Sequence, residues 1–191
     1  MHGKTGDQAH SACYALACSP YRTGPTGATA LSVKINLQTQ NEFEELIGSV
    51  LFESTPRAVT REQIQDYCRS LNQLDWFHFD EKRSQAAGFG GIIAPGSLTF
   101  ALVHATFFEH VELVNLKALF VGSDRFRVLR PTNADEAISL TMSIAAVEDR
   151  SEGFRVQYDF QWRGNNASGA ISEGTFLVRY WPTSDGNESL I

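Results

Sequence analysis

Cysteine is scarce in this chain: three among 191 residues, Cys13, Cys18 and Cys68. They are too few and too unevenly placed for a disulfide framework. No CxxC or Cys/His cluster has metal-ligand spacing, so no metal is expected. That usage points to a reducing compartment, and the cytoplasm is the expected location. Basic residues are outnumbered, 16 Lys+Arg against 22 Asp+Glu, for a net charge of -6. The balance excludes a general binder of nucleic acid or anionic membrane, which needs a basic surface. Long apolar runs are missing too; none approaches the ~20 residues of a membrane span. The opening MHGKTGDQAHSACYALACSP has neither a basic n-region nor an uninterrupted apolar h-region, so no signal peptide is expected. Apolar residues are plentiful: 42% of the chain, with 13 Phe, 5 Tyr and 3 Trp. That is enough for a sizeable core in one domain.

Residues 1–40 are rich in Gly, Ser, Thr, Ala and Gln, without a sustained period. They read as a mobile extension, with room for a short strand near Ala30–Leu37. Residues 41–182 read as the domain, and 183–191 as a polar tail. Phe43, Leu46, Ile47 and Leu51 fall at helical spacing. Thr60-Arg-Glu-Gln63 reads as a capping box opening a second helix, with Ile64, Tyr67, Cys68 and Leu71 as its apolar stripe. Residues 72–80 (NQLDWFHFD) break the period and read as a loop or short turn. Asp80 is placed to cap a brief helix over Glu81–Ala86. Gly88, Gly90, Gly91, Pro95 and Gly96 then mark irregular backbone.

Gly96–Val111 (GSLTFALVHATFFEHV) is apolar nearly all round, the pattern of a buried helix. Four β-rich runs follow. Ile138, Leu140, Met142 and Ile144 alternate with polar residues, as do Phe154, Val156, Tyr158, Phe160 and Trp162. Thr175–Trp181 and a stretch within Ala118–Leu129 complete the set. Short polar links carrying Gly153, Gly164 and Gly169 suit hairpins. One buried helix followed by an antiparallel meander is an α+β arrangement, a sheet curled around a central helix.

That order, with NQLDWFHFD…FGGIIAPG, resembles the MaoC-like dehydratase family and, within it, the nodulation-protein-N branch. Trp76, His78 and Asp80 match the family loop in register. Phe89, Gly90, Gly91, Ile93, Ala94 and Gly96 match the stretch before the helix, and Phe126 and Pro131 the strand after it. The resemblance implies a hot-dog fold over residues 41–182. It implies an acyl-thioester hydratase/dehydratase, a lyase moving water across the 2,3 double bond with R-3-hydroxy stereochemistry. The substrate is carried by coenzyme A or an acyl carrier protein, without metal or redox cofactor, and the protein is a homodimer or higher homo-oligomer.

The resemblance implies His78 as catalytic acid/base. The family's catalytic aspartate, five residues earlier, is here Gln73, and the family's amide, three residues earlier, is here Asp75. An amide takes no proton at neutral pH, so Asp75 is the candidate general base and Gln73 a group that orients water or thioester. Gly96, Ser97, Gly91, Phe89 and Ile93 form the implied substrate-binding set. Gly96 is of particular interest because the first N–H groups of a helix lack internal acceptors and suit a developing enolate oxygen. A histidine common in the family before that glycine is here Pro95. The exchanged acid and amide keep a second expectation open: a thioester-binding hot-dog protein that isomerises, hydrolyses or only assists a partner.

Overall fold

A computed structural model describes residues 34–165 and 169–183 of the chain. Residues 1–33 of the expected extension and 184–191 of the expected tail lie outside the described residues. Within the segment read as an extension, Ile35–Leu37 forms strand β1, which pairs in parallel with β4 (Val111–Leu113).

The helical spacing from Phe43 to Leu51 holds only for its first turn. Helix α1 covers Gln40–Glu45, buries Phe43, and gives way to strand β2 (Val50–Glu53), where Leu51 is buried. Gly48 ends the helical stretch with a φ of 80°, a conformation that costs a side-chain-bearing residue energy. Strand β3 (Arg57–Val59) leads into α2 (Arg61–Ser70). The Thr60 hydroxyl accepts from the Gln63 N–H, which is the N-cap half of the expected capping box. Asp80 likewise accepts from the Arg83 N–H at the start of α3 (Glu81–Ala86).

Helix α4 (Gly96–His110) is the centre of the fold. Beyond β4 come β5 (Leu116–Gly122), β6 (Phe126–Val128), β7 (Glu136–Asp149), β8 (Phe154–Gly164) and β9 (Ala170–Pro182). The run within Ala118–Leu129 is thus two strands. The antiparallel sheet runs β2-β7-β8-β9-β5, with β3 also on β7 and β6 also on β9.

The period of two determines which face meets α4. Phe154, Val156, Tyr158, Phe160 and Trp162 of β8 are buried, while Arg155, Gln157, Asp159 and Gln161 between them are half-buried. Their cross-strand partners on β9, Tyr180, Val178, Phe176, Gly174 and Ser172, face the same way. Phe107 of α4 sits edge-on to Tyr158, and Phe100 sits against Phe126 and Phe160. Burying each such side chain is worth about 1.5–3 kcal/mol.

The helix is not covered all round. Leu98, Leu102, Val103 and Phe107 are buried against the sheet, but Ser97, Ala101, His104 and Ala105 form an exposed stripe. Burial still pushes the His104 imidazole below its usual pKa. Small residues make this stripe read as apolar in sequence, yet they protrude too little to be covered by their own chain.

Candidate active site

The loop between α2 and α3 carries the site. The Gln73 N–H donates to the Cys68 carbonyl at the end of α2 (2.9 Å), which starts the loop at a set point. Residues Trp76–His78 then form a 3₁₀ turn, closed by the His78 N–H on the Asp75 carbonyl (3.1 Å). This turn directs the His78 ring into the protein, where the residue is 2% exposed.

Three stretches of chain lie side by side there. The Ile93 N–H donates to the Phe77 carbonyl (3.2 Å), and on its other side the Ala94 N–H donates to the Thr132 carbonyl (2.8 Å). The His78 Nδ1 lies 2.7 Å from the Ile93 carbonyl oxygen. A carbonyl only accepts, so Nδ1 carries a proton, and in the neutral ring Nε2 is the nitrogen that presents a lone pair. Among the described residues Nε2 has no hydrogen-bond partner, although it is buried. A buried polar atom left open in this way calls for a ligand or a water.

Three residues beyond Ile93 the chain enters α4. Its N-cap is Pro95, which makes no side-chain cap, so the amides of Gly96 and Ser97 at the helix start are not covered by a capping group. Three residues span at most about 10 Å. Ile93, whose carbonyl holds the imidazole, therefore lies within about 10 Å of the helix start.

The remaining sequence candidates divide. Phe89 is 36% exposed, and its ring lies beside those of Trp76 and Phe77, forming an aromatic rim on the His78 turn. Gly91 is buried and its carbonyl accepts from Ser84 Oγ (2.6 Å), a contact that braces the loop against α3. Gln73 is half-buried. Asp75 is exposed and makes no side-chain cap bond on the turn that follows it. Its charge is felt at Cys68, whose thiol is pushed up first by burial and then by this carboxylate. Asp80, the other carboxylate of the loop, is committed to capping α3.

Sequence reasoning missed several residues that build the site. Asn133 Nδ2 donates to the Phe89 carbonyl (2.8 Å). Val128 of β6 covers Gly96 so closely that a Cβ there would lie 2.6 Å from Val128 Cγ2. Trp162, Ser172 and Thr99 tie the start of α4 to the sheet. Each is a contact across tens of residues, and no local motif announces it. Among the described residues no group of His, Cys, Asp and Glu is arranged to hold a metal ion. No described helix is long and apolar enough to cross a membrane.

Comparison with known proteins supplies the family. The chain is 27% identical over 126 residues to a 3-hydroxyacyl-thioester dehydratase Z of Mycobacterium tuberculosis, covering 64% of this chain and 82% of that protein. A MaoC-like dehydratase from Rhodospirillum rubrum superposes with a TM-score of 0.59 at 18% identity, over 72% of this chain and 95% of that one. The C-terminally truncated HadBC (3R-hydroxyacyl-ACP dehydratase) complex from Mycobacterium tuberculosis gives 0.59 at 20% identity, over 70% of this chain and 96% of that one. These neighbours share the hot-dog architecture, an antiparallel sheet wrapped on a central helix. The family described as FAS1-like, dehydratase domain region, matches residues 45–165. That span is more than half of the chain, and the chain belongs to this dehydratase-domain family.

Proposed function

We propose that the chain is a hydro-lyase that adds water to, or removes it from, the 2,3 bond of an acyl thioester, with the R-3-hydroxy thioester as the hydrated form. The observation that carries this reading is the buried His78 with its open Nε2 lone pair, tethered three residues from an uncapped helix start.

In hydration, a water oxygen bonds to C3 as its proton passes to His78 Nε2. The electrons of the 2,3 double bond move onto the thioester oxygen, which the Gly96 and Ser97 amides face as its charge develops. The imidazolium then returns its proton from Nε2 to C2 and the carbonyl reforms, so that one water has been added. Dehydration reverses each step. The lone pair on Nε2 makes His78 the proton acceptor in this scheme. The uncommitted Asp75 carboxylate orients the water and favours the transient imidazolium, and Gln73 supplies an amide to the same water. Phe89 and Ile93 flank the acyl group, and Gly91 holds the loop. The scheme draws on no cofactor; coenzyme A or an acyl carrier protein enters as part of the substrate, in the cytoplasm.

Purified protein mixed with crotonyl-CoA should bleach the enoyl-thioester absorbance. Gln73 at the family's acid position favours a second reading, in which the chain binds a thioester and supports an active partner. Binding of butyryl-CoA with no bleaching of crotonyl-CoA would establish that reading instead.

Gly96 provides a direct test of the helix start. Gly96→Val should lower turnover while leaving the circular dichroism unchanged, because the contact is with the end of Val128, a side chain 47% exposed and free to turn. Adding Val128→Ala relieves that contact. If the double variant regains full turnover, the loss came from packing and the oxyanion role is wrong.

We also propose a homodimer. The aromatic strands Phe154–Trp162 and Thr175–Trp181 offer little to a partner, because their inward aromatics are buried within one chain. The surface on offer is instead the Ala101–His104–Ala105 stripe of α4 together with β5, the last strand of the sheet, where Leu119 and Val121 are exposed. An unpaired apolar edge invites pairing. Light scattering should give twice the chain mass, and Ala105→Arg should halve it. A wild-type monomer at micromolar concentration would exclude the dimer.

A further inference from the structure

Helix α4 packs on the sheet mainly through apolar side chains, and such contacts are non-directional. They hold the helix down without defining its rotation to a fraction of an ångström. The first turn of α4 nevertheless has directional restraints, all converging on one residue. The Trp162 indole Nε1–H donates to the Thr99 carbonyl (2.9 Å). Ser172 Oγ lies 3.1 Å from Thr99 Oγ1, and Thr99 Oγ1 lies 2.7 Å from the Gly96 carbonyl. The Gly96 oxygen only accepts, so Thr99 must donate to it, and Ser172 must therefore donate to Thr99. Thr99, Trp162 and Ser172 are 1%, 0% and 0% exposed. Trp162 and Ser172 are direct cross-strand partners on β8 and β9, so one rung of the sheet grips one residue of the helix.

The consequence runs through a single peptide group. The Gly96 carbonyl that Thr99 holds belongs to the same planar unit as the Ser97 N–H. Restraining the oxygen restrains the direction of that N–H, which points out of the helix start. We propose that Thr99, Trp162 and Ser172 are positioning residues that aim the Ser97 amide at the thioester oxygen. The inference rests on the proposed use of that amide by an acyl thioester. A buried polar chain in an apolar core is costly unless every member is satisfied, and this one is satisfied in a single proton order.

The test compares Thr99→Val, which keeps the branched shape and removes the hydroxyl, with Thr99→Ser, which restores it. Thr99→Val should lower kcat on crotonyl-CoA by about tenfold with KM changed less than twofold, since small misplacements cost rate more than binding. Thr99→Ser should recover most of the loss, and Trp162→Phe should mimic Thr99→Val. Val156→Ala, a buried change on β8 away from the site, sets what loss of stability alone does to kcat. A second readout needs no turnover: the infrared stretch of butyryl-CoA labelled with ¹³C at the thioester carbonyl. Binding should move it to lower frequency in the wild type, and Thr99→Val should return it at least halfway towards the free value.

If Thr99→Val keeps both its kcat and the carbonyl shift, or loses no more kcat than Val156→Ala, the positioning role is overturned while the hydro-lyase reading stands. If the wild type hydrates nothing yet shows a carbonyl shift that depends on Thr99, the hydro-lyase reading fails and the positioning role stands. If the wild type shows no shifted carbonyl, the thioester site and the positioning role fall together.

Discussion

Replacing His78 with alanine is expected to lower hydratase turnover about 10²–10⁴-fold, the usual contribution of general acid–base catalysis. The variant should fold, because among the described residues the ring's hydrogen bond is the one from Nδ1 to the Ile93 carbonyl, and leaving that carbonyl unpaired costs about 1–3 kcal/mol. Asp75→Asn should cost less, about tenfold, corresponding to ~1.4 kcal/mol of lost charge stabilisation. The gap between the two variants identifies the base. A loss in Asp75→Asn as deep as that in His78→Ala makes Asp75 the proton acceptor, the role that its place in the loop suggests. The double change Gln73→Asp with Asp75→Gln restores the family order and should keep or raise the rate. Wild-type turnover that survives His78→Ala would remove the whole assignment.

The second large effect concerns stability. Gly174 of β9 lies where the chain enters β6. A Cβ there would stand 2.3 Å from the Arg125 carbonyl oxygen, 3.0 Å from Phe160 Cε1 and 3.1 Å from Phe126 Cα. Backbone atoms cannot swing aside as a side-chain end can. The Arg125 carbonyl is further held by the Thr175 N–H (2.8 Å), and Thr175 Oγ1 accepts from the Asp124 and Arg125 N–H groups. Gly174→Ala must therefore push β6 off β9. The expected cost is about 2–3 kcal/mol, or a fall in Tm of roughly 4–12 °C for a chain of this size. Because β6 carries Val128 over Gly96, turnover should fall as well. An unchanged melting curve would show that the Arg125 crossing yields freely, contrary to this packing.

The elements legible in the sequence were those whose causes are local. Thr60 and Asp80 cap the helices they were expected to cap, because a side-chain oxygen three residues from an amide is a short-range arrangement. The alternation of Phe154, Val156, Tyr158, Phe160 and Trp162 assigned β8 and its buried face, since period two follows from the pleat of a single strand. Leu51 misled for the same reason in reverse. Its spacing suits a helix, but pairing of Val50 and Phe52 with Ser143 and Met142 of β7 places it in a strand. No window of sequence contains that pairing.

The candidate site divides along the same line. His78 was legible through the resemblance of its loop to the family motif, and the glycine at the start of α4 because the residues around it mark a helix opening. The sequence by itself also determined that residue 73 is an amide and residue 75 an acid, and hence which of the two can carry charge. Only the tertiary structure decided which nitrogen of His78 is open, because the choice depends on the Ile93 carbonyl fifteen residues away. It alone decided that Val128 closes over Gly96 and that Trp162 and Ser172 hold Thr99. Hydrogen bonds and close approaches of this kind depend on distances set by the packing of the whole sheet on α4. Spacing along the chain places residues on a face, and only the packed fold brings one face against another.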